Sequence, residues 1–174
     1  IEFQPSGFSK GSYCNVGVHW LWGLTPAVIF DFDAHRVGSF ASFNDPEAFA
    51  ENVAGMAHAA AQSAKRHREM FSSLPATAAI LAKDENAQAD PGCWPAFHAG
   101  VGCGLARDTE TAGLMFERVR AANVRNVDWL KERRLKVERL MVVLSDHVAF
   151  RTEVQSQVDD HRARLKLGPY ALGT

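Results

Sequence analysis

Cysteine is scarce in this chain, neither sign of charge prevails, and no apolar run is long. Among 174 residues there are three cysteines, Cys14, Cys93 and Cys103, and none forms a C-x-x-C pair. An odd, sparse count supplies neither a disulfide framework nor a zinc knuckle, and it predicts a reducing, cytoplasmic setting. The formal net charge of −1 leaves no cationic excess for gripping nucleic acid or an anionic membrane surface, so neither is expected as a partner. No apolar stretch approaches the roughly 18 residues that a membrane span requires. The opening IEFQPSGF has no initiator Met and reads as the middle of a strand, so residues before Ile1 are expected.

What is present is an ordinary globular composition, 47% hydrophobic and 22% charged. A chain of this length buries roughly 70% of its unfolded surface, enough for a core without staples. Residues 1–43 carry strand chemistry. Ile1 to Gln4 alternates apolar and polar, PSGFSKG supplies a turn, and SYCNVGVHWLW resumes the alternation. Strand parity sets Cys14, Val16, Val18, Trp20 and Trp22 on one face and Tyr13, Asn15, Gly17 and His19 on the other. After Gly23–Pro26, AVIFDFDAH reads as a third strand. Its parity places Asp31, Asp33 and His35 together, and a short strand near Val37–Phe43 completes a meander.

At Asn44 the period changes to that of helices. Asn44 or Asp45 can cap a helix with Pro46 in its first turn. Phe49, Val53, Met56, Ala60, Ala64 and Phe71 then recur at helical spacing, with Glu51, Gln62, Lys65, Arg66 and Glu69 outward. SLPATAAILAKDENAQADPG reads as a short helix and a polar loop. CWPAFHAGVGCGLA and TETAGLMFERVRAA read as a helical hairpin, with Asp108 capping its second helix. The hairpin resembles one tetratricopeptide-like unit, but a solenoid needs about three copies. From Asn126 to Leu165 an apolar period of nearly forty residues is far above the usual helix length, so a break near Ser145–Asp146 is expected, with Gly168–Pro169 ending the segment. The expectation is an α+β fold: an antiparallel β-meander of three or four strands (1–43) packed against four to six helices (44–174), in one domain, 1–174.

Motifs that suggest chemistry fail in context. AVIFDFDAH resembles the first motif of haloacid-dehalogenase-type phosphatases, which would make Asp31 the nucleophile and Asp33 the acid/base beside Mg²⁺. Ala34 and His35 stand where that family has Gly-Thr, and its parallel, helix-wound sheet does not match strands first and helices afterwards. Gly7-Phe8-Ser9-Lys10-Gly11 satisfies G-x-S-x-G, but a strand follows it, whereas a nucleophile elbow feeds a helix. Gly100-Val101-Gly102-Cys103-Gly104 lies inside a helical pattern, so its glycines fit close helix packing better than a dinucleotide loop. His98, amid Trp94, Phe97 and Val101, reads as a hydrogen-bonded core histidine. Between Arg118 and Arg139, eight Lys or Arg stand against three acids, but they spread around the helices, as on a solvated face. No catalytic set and no cofactor is therefore expected.

Two functional readings remain. The first is a non-enzymatic binding or protein-interaction domain, in which Gln4, Tyr13, Asn15 and His19 form a polar sheet face that meets a protein partner. The second is a divalent-metal-dependent hydrolase using Asp31, Asp33 and His35 as hard oxygen and imidazole ligands. FQPSGFSKGSYCNVGVHW, WPAFHAGVGCGLARD and the closing RARLKLG resemble the DUF4304-like domains, an uncharacterised bacterial group. The shared features are an F-Q-x-S opening strand, a strand ending in N-x-G, and a terminal R-x-x-L-x-L helix. The resemblance implies an α+β fold and no catalytic residues.

Overall fold

A computed structural model describes residues 1–5, 10–23, 29–84, 94–122, 128–168 and 172, with residues 2–5 as backbone alone. The fold is of the α+β class. Sequence reading places one domain with a change of character at residue 44. The chain groups into two compact units, Ile1–His19 with Ile29–Phe71, and Trp20–Val28 with Ser72–Thr174. The first long helix therefore belongs with the sheet.

In the first unit, strands β1 (Glu2–Pro5), β2 (Gly11–Val18) and β3 (Phe32–Ser42) form an antiparallel sheet in the order β1-β2-β3. The two segments read as a third and a fourth strand are one strand, β3. Its register slips twice. Tyr13 faces three residues, Gly38, Ser39 and Phe40, and Gly17 faces two, Asp33 and Ala34. Each slip contains a left-handed residue, Gly38 at φ 70° and Asp33 at φ 46°, the conformation that lets a bulge absorb extra chain. Helix α1 (Pro46–Met70) covers one face. Asp45 caps it, its Oδ1 accepting from the Glu47 and Ala48 amides at 3.0 and 2.9 Å. Cys14, Val16, Val37 and Ala41 of the sheet pack with Met56 and Ala60 of α1, flanked by Phe49 and Val53.

The strand read through Trp22 stops at Val18. Trp20 and Trp22 stack on each other in the second unit, 4.9 Å between centroids and 9° between planes. Successive same-face residues of a strand stand about 6.6 Å apart, so stacking here has replaced alternation. The Gly23 amide closes this segment on the Trp20 carbonyl at 2.9 Å.

The second unit is helical: α2 (Leu74–Lys83), α3 (Trp94–Leu105), α4 (Thr109–Ala121), α5 (Asp128–Val142) and α6 (His147–Arg164). Ser73, Asp108 and Asp146 cap α2, α4 and α6. The break expected at Ser145–Asp146 is the start of α6. Helix α3 is the hub, buried from Ala96 to Leu105 and packed on α2, α4 and α6. Its glycines make that possible. A Cβ on Gly100 would lie 2.5 Å from the Phe116 ring, and one on Gly104 would lie 2.4 Å from Phe150. Two polar side chains in this core, His98 and Arg133, have partners. His98 Nδ1 accepts from Trp22 Nε1 at 3.2 Å. The Arg133 guanidinium lies 3.2 Å from the Trp94 ring centroid and 4.7 Å from that of Trp129. Most of Gly7–Gly11, together with Cys93 and residues 85–92, lies outside the described residues. No helix among the described residues is long and apolar enough to cross a membrane.

The packing predicts opposite outcomes for two Gly→Ala changes. Gly104→Ala should destabilise by about 1–3 kcal/mol, because overpacking against Phe150 outweighs the gain in helix propensity. Gly113→Ala on α4 meets only Leu144, at 3.9 Å, and should stabilise by about 0.5–1 kcal/mol. Thermal or urea unfolding of both variants checks the sign.

Candidate functional site

The acidic segment at the start of β3 is where chemistry was anticipated. The geometry begins with the bulge at Asp33. Unbroken alternation would keep Asp31, Asp33 and His35 on one face. The bulge inserts a residue, so that Phe32 pairs with Val18 and His35 pairs with Val16. Paired residues share a face of a sheet, and Val16 belongs to the α1-covered core. His35 therefore stands on the side of α1, beside His67, at 6.4 Å between ring centroids.

The three residues consequently serve different partners. Asp31 Oδ2 lies 2.9 Å from His19 Nδ1, with side chains only 4% and 10% exposed. A carboxylate can only accept, so the imidazole donates. The Asp31 amide also donates to the Val18 carbonyl at 2.7 Å. His19 and Asp31 together fasten the segment before β3 to the end of β2. Asp33 turns to α1, where its Oδ2 accepts from His67 Nε2 at 2.8 Å and lies 3.6 Å from Arg66. His35 Nδ1 donates to the Asp33 carbonyl at 2.8 Å. The His67 hydrogen bond, with the nearby His35, His67 and Arg66 charges, holds the Asp33 carboxyl below its usual range, against some opposing desolvation.

Among the described residues, no three His, Cys, Asp or Glu form a group that could hold a metal ion. The expected set of Asp31, Asp33 and His35 is thus corrected: the bulge separates the ligands, and histidines already occupy the carboxylates. His19, expected on the ligand-binding face, is instead bound to Asp31. His67 is the residue that sequence reading missed. Its signal was available: with Met56, Ala60 and Ser63 it forms the buried stripe of α1, and a histidine in an apolar stripe needs a polar partner.

The sheet face opposite α1 has a different character. Register sets Asn15 across from Arg36, and Gln4 across from Tyr13 at the backbone; the Gln4 side chain lies outside the described ones. The exposed Arg36 guanidinium sits 3.8 Å from the Tyr13 ring centroid, and Phe40 packs on the same ring at 5.0 Å and 49°. Tyr13 and Asn15 were anticipated here; Arg36 and Phe40 were not, since both lie beyond or within a register slip.

The chain matches no protein-family model, and no curated protein or solved structure matches it.

Asp33 gives a test by pH. Its folded-state pKa is depressed, so its contribution is present above the unfolded value near 3.9 and is lost as pH falls through the folded value. Asp33→Asn tolerates the left-handed backbone but loses the charge. At pH 7 it should cost no more than about 1 kcal/mol, since Asp33 is 41% exposed. The difference from wild type should shrink below pH 4, as read by urea unfolding at several pH values.

Proposed function

We propose that this chain is a non-enzymatic binding domain that meets a protein partner through the sheet face of Tyr13, Asn15, Arg36 and Phe40. The observation that carries the reading is Arg36 held over the Tyr13 ring. Contact with the ring restrains the guanidinium before any partner arrives, so less rotamer freedom is lost on binding. The edge N–H groups stay available for a carboxylate in bidentate geometry. Tyrosine, phenylalanine and arginine are also the side chains that anchor protein interfaces. A partner with an acidic segment fits this chemistry.

The rival, a metal-dependent hydrolase built on Asp31, Asp33 and His35, has no observation in its favour. Cys14 and Cys103 are buried and unbridged, which suits the cytoplasm.

Peptide display panned on the whole chain tests the proposal. Acidic peptides should be enriched, and Arg36→Glu should weaken the selected peptides by at least about tenfold, with Tyr13→Ala acting in the same direction. Selected peptides that bind Arg36→Glu and Tyr13→Ala as well as wild type would sink it.

A further inference from the structure

The second unit contains a pocket of about 270 Å³ lined by Gly23, by Leu135 and otherwise by polar and charged side chains. Helix α5 contributes Glu132, Lys136 and Arg139, and α6 contributes Gln157, Asp160 and Arg164. On each helix these positions follow the i, i+3, i+4, i+7 rule of a single face. The buried side chains of the same helices are Leu130, Arg133, Val137 and Leu140 on α5 and Phe150, Val154, Gln157, Val158 and His161 on α6, so Gln157 and His161 line the pocket from the buried side of α6.

Gln157 is the decisive residue. It is only 6% exposed. Its Nε2 donates to Glu153 Oε1 at 3.2 Å, while its Oε1 has no hydrogen-bond partner among the described residues. Flipping the amide would set oxygen against carboxylate oxygen, so the orientation is fixed by Glu153. A buried acceptor held this way needs an O–H or N–H donor. His161 donates from Nδ1 to the Leu21 carbonyl at 3.1 Å, which ties the turn carrying Gly23 to this wall of the pocket.

Three cations, Lys136, Arg139 and Arg164, outnumber the acids Glu132 and Asp160 in the lining. We propose that this pocket binds a small polyhydroxylated organic anion, of the sugar-phosphate or sugar-acid kind. The cations take the anionic group. Gln157 Oε1 and the carboxylates of Glu132 and Asp160 accept from hydroxyls, a set that neither a bare anion nor a neutral sugar can satisfy. The volume lies below the roughly 300 Å³ at which pockets for drug-sized ligands begin, so the ligand is of single-sugar size.

Lys136 adds a second readout. Burial, with repulsion from Arg139 and Arg164, lowers its pKa to about 8 against the opposing pull of Glu153 and Asp160. An anion beside it favours the charged ammonium, so binding near pH 8 must be accompanied by proton uptake.

Isothermal titration calorimetry on the whole chain, with glucose 6-phosphate, gluconate, glucose and inorganic phosphate, tests the proposal. Glucose 6-phosphate or gluconate should bind, and which of them binds tighter separates the phosphate source from the carboxylate one. Glucose and phosphate should each bind at least about tenfold more weakly. Gln157→Leu and the rim variant Arg164→Gln should each weaken binding by about tenfold or more. At pH 8, buffers of different ionisation enthalpy should report uptake of up to about half a proton, abolished in Lys136→Met. The proposal is overturned if no probe binds by about 10 mM, if phosphate alone binds as well as glucose 6-phosphate, or if Arg164→Gln, whose side chain is exposed and whose fold is not at risk, leaves binding unchanged.

Discussion

The hydrogen bond from His67 to Asp33 fixes what the acidic segment of the first unit can do. A histidine on the buried stripe of a helix has to be compensated, and a left-handed residue at a bulge is the means by which β3 delivers a carboxylate to it. Once Asp33 is committed to α1, it no longer shares a face with Asp31, and His35 follows Asp33 to the helix side. The arrangement that resembles a metal or phosphoryl-transfer site in one dimension is, in three, two separate fastenings: Asp31 to His19 and Asp33 to His67.

The second unit obeys the same constraint by different chemistry. Arg133 has no exposed surface, yet its cation faces the π-systems of Trp94 and Trp129. Such contacts contribute about 2 kcal/mol or more when desolvated. Trp94 in turn stacks on His98 at 5.7 Å, and His98 accepts from Trp22. Buried polarity is thus compensated at His67, His98 and Arg133. Gln157 Oε1, like Arg120 Nε and His147 Nδ1, has no hydrogen-bond partner among the described residues, and of these three residues Gln157 alone lines the pocket, which is why the pocket and not the acidic strand carries the ligand proposal.

The helical elements were the most legible in the sequence. Asp45, Asp108 and Asp146 announce helix starts because capping is a local interaction between one side chain and the next two or three amides. The run from Gly100 to Gly104 was readable as a packing surface, since helical context removes the phosphate-binding alternative. The class of the fold followed from strands preceding helices. What stayed hidden depends on partners distant in sequence. The slips at Asp33 and Gly38 arise from pairing with β2, and no local preference marks them except the glycine itself. The slip at Asp33 redirected the parity assignment of Asp31, Asp33 and His35, whereas the slip at Gly38 sets three residues against one and keeps Val37 and Ala41 on the same face. Trp20 and Trp22 sit at strand-like spacing, yet the gain from stacking and burying two indoles decides their place. The polar stripes of α5 and α6 have a readable period, but apolar residues on the same helices dominated the pattern.

The central claim is that the polar residues around the start of β3 hold the fold together, leaving the face of Tyr13 and Arg36 for recognition. Titration of the ¹⁵N-labelled chain with Mn²⁺, followed by amide line broadening, tests it most directly. The account predicts no saturable, submillimolar broadening centred on Asp31, Asp33 and His35. Saturable broadening focused on those three residues, displaced by Mg²⁺, would contradict it.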